Sequence, residues 1–133
     1  MTRFGISHHK EWTIAALKAG KHVLCEKSFA SNAKQAREMA DVAAESGLIL
    51  MDAFHYRYHP LFLHAKQVYD SGQLGEIESI NAVFTVQGIP NPEDIRLNYA
   101  TAGGVTMDIG CYPISWVRHI SGQEPTDVIA NAV

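Results

Sequence analysis

His22-Val23-Leu24-Cys25-Glu26-Lys27 is a short apolar run without a turn residue, and it ends in an acid and an amine. It reads as a buried strand. Before it, Trp12, Ala15, Ala16 and Ala19 recur at helical spacing, and Gly20 follows as a stop. After it, Ser31 or Asn32 caps a second helix, and Asn32 with Gln35 has the spacing of a capping box. Ala33, Ala36, Ala40 and Ala43 share one face of that helix, and Gly47 ends it. Leu48-Ile49-Leu50-Met51 is a second buried strand. Helix, strand, helix, strand, with continuous apolar strands, predicts an α/β fold with a parallel sheet covered on its faces.

The pattern changes after Ala53. Phe54 to His59 is aromatic and basic, and Pro60 suits the first turn of a helix with Leu61, Ala65 and Val68 inside. Ser71-Gly72 closes it. From Glu76 to Gln87 the period is two, with Ile80, Ala82, Phe84 and Val86 on one side. That predicts a strand with one wet face, as in an antiparallel sheet. Gly88 to Ala100, with Pro90 and Pro92, reads as a loop. A helix follows from about Gly104 to Ile120, and Pro113, which has no N–H for the Ile109 carbonyl, predicts a kink in it. Thr126 to Val133 reads as one more strand.

The composition excludes several classes. The net charge is −3 and the eleven Lys and Arg are scattered, so no basic face for nucleic acid is expected. No apolar run approaches the roughly 18 residues of a membrane span. The first residues lack the apolar core of a secretory signal. Two cysteines make no disulfide framework, so a reduced, cytoplasmic protein is the expectation.

Two stretches carry chemistry. Lys27 stands just past the carboxyl end of a parallel strand, where open α/β sheets bind ligands. A lysine partly desolvated or near a cationic ring can take a proton from an alcohol. Taken alone, a solvated lysine ahead of a loop is the plainer reading. The second stretch is Gly103-Gly104-Val105-Thr106-Met107-Asp108-Ile109-Gly110-Cys111-Tyr112. Asp108 and Tyr112, four apart, share a helix face, and the two glycines would let a ligand approach the helix start. Taken alone, these are a cap-region carboxylate and a half-buried core phenol. One alcohol site explains both stretches together. No metal site is expected, because Pro60 separates His55 and His59 from the helix and no Cys or carboxylate completes a zinc set. Cys25 and Cys111 read as small core residues. Gly-x-Gly-x-x-Gly occurs nowhere.

These residues resemble the glucose–fructose oxidoreductase, inositol dehydrogenase and rhizopine-catabolism family of NAD(P)-dependent oxidoreductases (Gfo/Idh/MocA). Residues 11–27 resemble the approach to its Glu-Lys-Pro signature, 51–60 its crossover into the second domain, and 103–112 its catalytic helix. Tyr112 in place of histidine points to the dihydrodiol and aldose dehydrogenase branch. The resemblance implies hydride transfer between NAD or NADP and a sugar, polyol or cyclic diol. Lys27, Asp108 and Tyr112 would fall on catalytic positions. Glu26, Lys27 and Arg57 would lie on the cofactor side, and Asp94-Ile95-Arg96 near the site. Residues 1–53 would be the second half of a Rossmann-type sheet. Residues 54–133 would begin an α+β substrate and oligomerisation domain with an antiparallel sheet, in a homo-oligomer. Ser28 replaces the signature proline. The resemblance further implies an internal fragment, inactive by itself; a non-catalytic chain acting through packing with a partner is the alternative.

Overall fold

A computed structural model describes residues 5–88 and 91–131. A short 3₁₀ turn, Ile6–His8, leads into helix α1 (His9–Lys18). Strand β1 (Val23–Cys25), helix α2 (Ala33–Ser46) and strand β2 (Leu50–Asp52) follow. β1 and β2 are parallel, with Val23 opposite Leu50 and Cys25 opposite Asp52. The sequence-predicted order is therefore the observed one, although both strands are shorter and β2 starts two residues later than expected.

Local chemistry sets these elements. Asn32 caps α2 by accepting from the Gln35 N–H at 3.0 Å, and the Gln35 side chain reaches back to the Ser31 N–H at 3.2 Å. Gly47 takes the left-handed conformation (φ 62°) that ends the helix. Met39, wholly buried, packs with Cys25 and Ala30 against Ile14, Val23 and Leu50.

The inward faces differ from the predicted stripes. Thr13 and Leu17 are the buried residues of α1, whereas Trp12 is 56% exposed. In α2 the inner face is Ala36, Met39 and Ala43, and Ala33 and Ala40 face out. Nor is the sheet covered on both faces: Cys25 is buried, but Leu24 between it and Val23 is 67% exposed. Alternation in a strand sends neighbours to opposite sides, and the helices cover only one of them.

A 3₁₀ turn, His55–Tyr58, leads to helix α3 (Pro60–Asp70), with Pro60 at its first position and the His59 ring capping the Leu61 N–H. Phe62, Lys66, Val68 and Tyr69 are its less exposed residues, and of the expected Leu61, Ala65 and Val68 only Val68 is among them. Residues 76–87 form no ladder, although Ile80, Ala82 and Phe84 are less exposed than their neighbours. The period of two holds from Ile80 to Phe84 and fails at Val86, which is 54% exposed; a strand also needs an aligned partner, and none of the described residues supplies one. Residues 126–131 likewise form no strand, and 132–133 lie outside the described residues, as do 89 and 90 of the expected loop. That loop contains two 3₁₀ turns, Ile95–Leu97 and Tyr99–Thr101. A π turn, Thr106–Gly110, then feeds helix α4 (Cys111–Ser121). The irregularity expected from Pro113 is this wider turn, which includes Ile109. Among the described residues no helix is long and apolar enough to cross a membrane.

Candidate active site

β1 ends at Cys25 and releases Glu26 and Lys27 at the carboxyl end of the sheet. The Lys27–Ser28 peptide is cis. Ser28 is buried, and its hydroxyl donates to the Met107 carbonyl at 2.5 Å. The Ser28 carbonyl is held by the His9 ring at 2.9 Å. The segment after Lys27 is thereby tied both to α1 and to the π turn.

Lys27 crosses 81 residues of sequence to reach that turn. Its ammonium donates to Asp108 Oδ1 at 2.9 Å and also to the Asp108 backbone carbonyl. It lies 5.4 Å from the centroid of the Tyr112 ring. The structure thus brings the three sequence-predicted residues into one cluster. Tyr112 is fixed by a cage of rings, with Phe84 at 5.2 Å, Phe54 at 5.3 Å and His55 at 5.7 Å. Burial pushes its phenol above the ordinary value, and the Lys27 charge partly opposes this. At neutral pH the hydroxyl therefore keeps its proton.

Two arginines fare differently. Arg96 forms a fork with Asp94, Nε to Oδ1 at 2.9 Å and Nη2 to Oδ2 at 3.0 Å, and its Nη1 lies 3.8 Å from Asp108 Oδ2. The family resemblance implies Arg96 near the site, but the sequence gives no sign of this ion chain. Arg57 is not among the residues lining the cavity described below. Its buried Nε has no hydrogen-bond partner, and neither has the buried Oδ1 of Asp52.

Gly103 corrects an expectation. Besides lining the cavity described next, it makes room for the chain's own backbone. A Cβ there would sit 2.7 Å from the carbonyl oxygens of Ile95 and Arg96. Gly104, at φ 122°, takes a conformation that side-chain-bearing residues rarely adopt.

A cavity of about 770 Å³ is lined by Lys27 and Asp108 of the cluster, with Tyr112 buried behind them. Ile6, Trp12 and Leu24 give it an apolar wall, and Glu26, Lys27 and Asp108 a polar one. His9 and Trp12 also reach it from α1. The sequence marks Trp12 only as part of a helical stripe and gives His9 no signal at all. Cys25 is buried at the end of β1: burial pushes its thiol up, and its Sγ lies 3.5 Å from the Phe29 carbonyl. No cluster of three or more metal-binding side chains occurs among the described residues.

Asp52, at the end of β2, is pushed by burial from 3.8 to about 6, with the Ala53 N–H and Arg57 opposing and Glu26 adding to the rise. The folded state holds this proton more tightly than the unfolded chain, so stability is full below the lower value and falls as pH rises through the higher. Asp52→Asn removes that loss. It should raise stability at neutral pH by about 1 kcal/mol, after allowing for solvent screening of a half-buried group. Urea midpoints across this window should flatten in the variant; an unchanged slope contradicts the assignment.

The sequence has relatives throughout this architecture. A family model for oxidoreductases with an NAD-binding Rossmann fold matches residues 2–54. A model for the GFO/IDH/MocA C-terminal domain matches residues 62–133. A dTDP-3,4-didehydro-2,6-dideoxy-alpha-D-glucose 3-reductase from Actinomadura kijaniata is 44% identical over 80% of this chain and 32% of its own. A D-xylose 1-dehydrogenase (NADP(+)) from Haloferax volcanii is 38% identical over 86% of this chain and 35% of its own. The crystal structure of aldose-aldose oxidoreductase from Caulobacter crescentus, complexed with glycerol, superposes with a TM-score of 0.80 at 30% identity, over 92% of this chain and 37% of that one. The chain spans about a third of the length of these curated relatives. With one family's two models covering nearly all of its residues in order, the chain belongs to the GFO/IDH/MocA oxidoreductases.

Proposed function

We propose that the chain supplies the proton-handling side of an NAD- or NADP-dependent oxidoreductase acting on a hydroxyl of a sugar, polyol or cyclic diol. Residues 1–53 serve the nucleotide and 54–133 the substrate and the assembly of a homo-oligomer. The carrying observation is the convergence of Lys27, Asp108 and Tyr112, with Lys27 2.9 Å from Asp108 and 5.4 Å from the Tyr112 ring.

The cavity fits the nicotinamide end of such a cofactor. It has the size of a small-ligand pocket, an apolar wall, and Glu26 and Lys27 at the strand end. When bound, the nicotinamide supplies the carbon that gives or takes hydride. The chain's own residues handle the proton. Tyr112, protonated at neutral pH, donates to a carbonyl oxygen being reduced and takes the proton back when an alcohol is oxidised. Lys27 lies over the phenol's ring, favours its anion while the proton is away, and shares the proton transfer with it. Asp108 orients Lys27 and the reacting hydroxyl.

Charge balance supports a neutral substrate at this end. Both cations of the cluster are already paired, Lys27 with Asp108 and Arg96 with Asp94. A hydroxyl needs no further countercharge. The names of the relatives, a sugar-nucleotide reductase and a xylose dehydrogenase, agree with that class. Exposed Val83, Val128 and Ile129 support burial against a second copy.

Because Trp12 lines the cavity, the test is a fluorescence titration of the purified chain with NAD⁺ and NADP⁺. Saturable quenching that Trp12→Phe abolishes is expected for at least one nucleotide. A linear, non-saturating response to both contradicts the cofactor assignment.

A further inference from the structure

We propose that Arg96 is a positioning residue that holds the Asp108 carboxylate so that only one of its oxygens serves Lys27. The proposal rests on the roles of Lys27 and Asp108 given above. Asp108 Oδ1 is 2.9 Å from Lys27 Nζ, and Oδ2 faces Arg96 Nη1 at 3.8 Å. A carboxylate between two cations on opposite oxygens cannot turn both toward one of them without losing the other. The guanidinium that imposes this is itself fixed. Its fork with Asp94 uses Nε and Nη2 and leaves the Nη1 edge for Asp108. Asp94 in turn accepts the Arg96 N–H at 2.9 Å and caps the Ile95–Leu97 turn.

The main chain repeats the connection. Gly104 N–H donates to the Arg96 carbonyl at 2.7 Å, and Asp108 N–H donates to the Gly104 carbonyl at 2.9 Å. Side chain and backbone of Arg96 therefore grip the turn that carries Asp108 at two separate points. The backbone grip survives any substitution at 96 that keeps the carbonyl. Removal of the side chain therefore isolates the positioning effect from the fold of the turn. Lysine restores the charge but not the planar fork.

The experiment is carbon and nitrogen NMR on the labelled full chain. In Arg96→Gln the Asp108 carboxylate carbon and the Lys27 Cε resonances should move by more than their line widths, while the Met107 and Ile109 amides stay in place. Arg96→Lys should return the carboxylate resonance part of the way, and Asp94→Asn should shift it in the same direction as Arg96→Gln. An unmoved carboxylate resonance in Arg96→Gln, or turn amides that move as far as it does, overturns the proposal. This readout does not depend on activity. If the chain fails to bind nucleotide, the functional reading falls while the Arg96 arrangement is still decided.

Discussion

Lys27→Ala should lower turnover about 10²-fold or more. The assay is NADPH formation with D-xylose as probe, in the Haloferax volcanii xylose dehydrogenase carrying this chain in place of its matched segment. The size of the effect follows from position. The ammonium is held by two oxygens of Asp108, one from the side chain and one from the backbone, and it faces the Tyr112 ring. Its loss leaves the phenolate of the reacting state without a neighbouring cation, and leaves Asp108 with Arg96 alone. Lys27→Arg separates charge from proton handling. It keeps a cation for Asp108, but guanidinium does not give up a proton in proteins. Its unfolding midpoint should match the parent chain, and its turnover should stay low. A Lys27→Arg variant with full activity would show that charge alone is required.

Tyr112→Phe should cost about 10²-fold in turnover with little change in stability, within about 0.5 kcal/mol. The ring is what the fold uses. Phe54, His55, Phe84 and Trp116 surround it edge-on or tilted, and phenylalanine keeps those contacts. Only the hydroxyl is removed, and with it the proposed proton donor. A loss of activity with an unchanged urea midpoint separates chemistry from packing. Unchanged rates in both Tyr112→Phe and Lys27→Ala would remove the assigned roles.

What the sequence makes legible here is local. The Asn32–Gln35 cap, the Gly47 stop, Pro60 at a helix start and the two apolar strands are written in neighbouring residues, and the structure reproduces them. Faces were harder to read. Trp12, Ala15 and Ala19 repeat at helical spacing as convincingly as Thr13 and Leu17, and the choice between them is made by where β1 and α2 lie. Leu61 and Ala65 failed for the same reason. α3 turns Phe62 inward because Tyr56 and His119 offer it rings at 4.6 and 5.7 Å. Ladders are less legible still: residues 76–87 keep their alternation without a partner to bond.

The site divides the same way. Lys27, Asp108 and Tyr112 stand out as chemical types, and one shared substrate hydroxyl is enough to connect them. Arg96 does not stand out. Its fork with Asp94 is local, but its reach to Asp108 depends on Gly103 and Gly104 folding the loop back onto the turn. Gly103 lines the cavity, but the need for glycine there also comes from the carbonyls of Ile95 and Arg96, which nothing in the local sequence announces.

The most direct test is a crystal structure of the chain with NADP⁺ and a non-reacting polyol such as glycerol. One polyol oxygen should lie within hydrogen-bond reach, about 2.6–3.2 Å, of both the Tyr112 hydroxyl and Lys27 Nζ. A polyol bound in the cavity with no oxygen near either group, or Tyr112 turned away from Lys27 when the site is filled, would contradict the account.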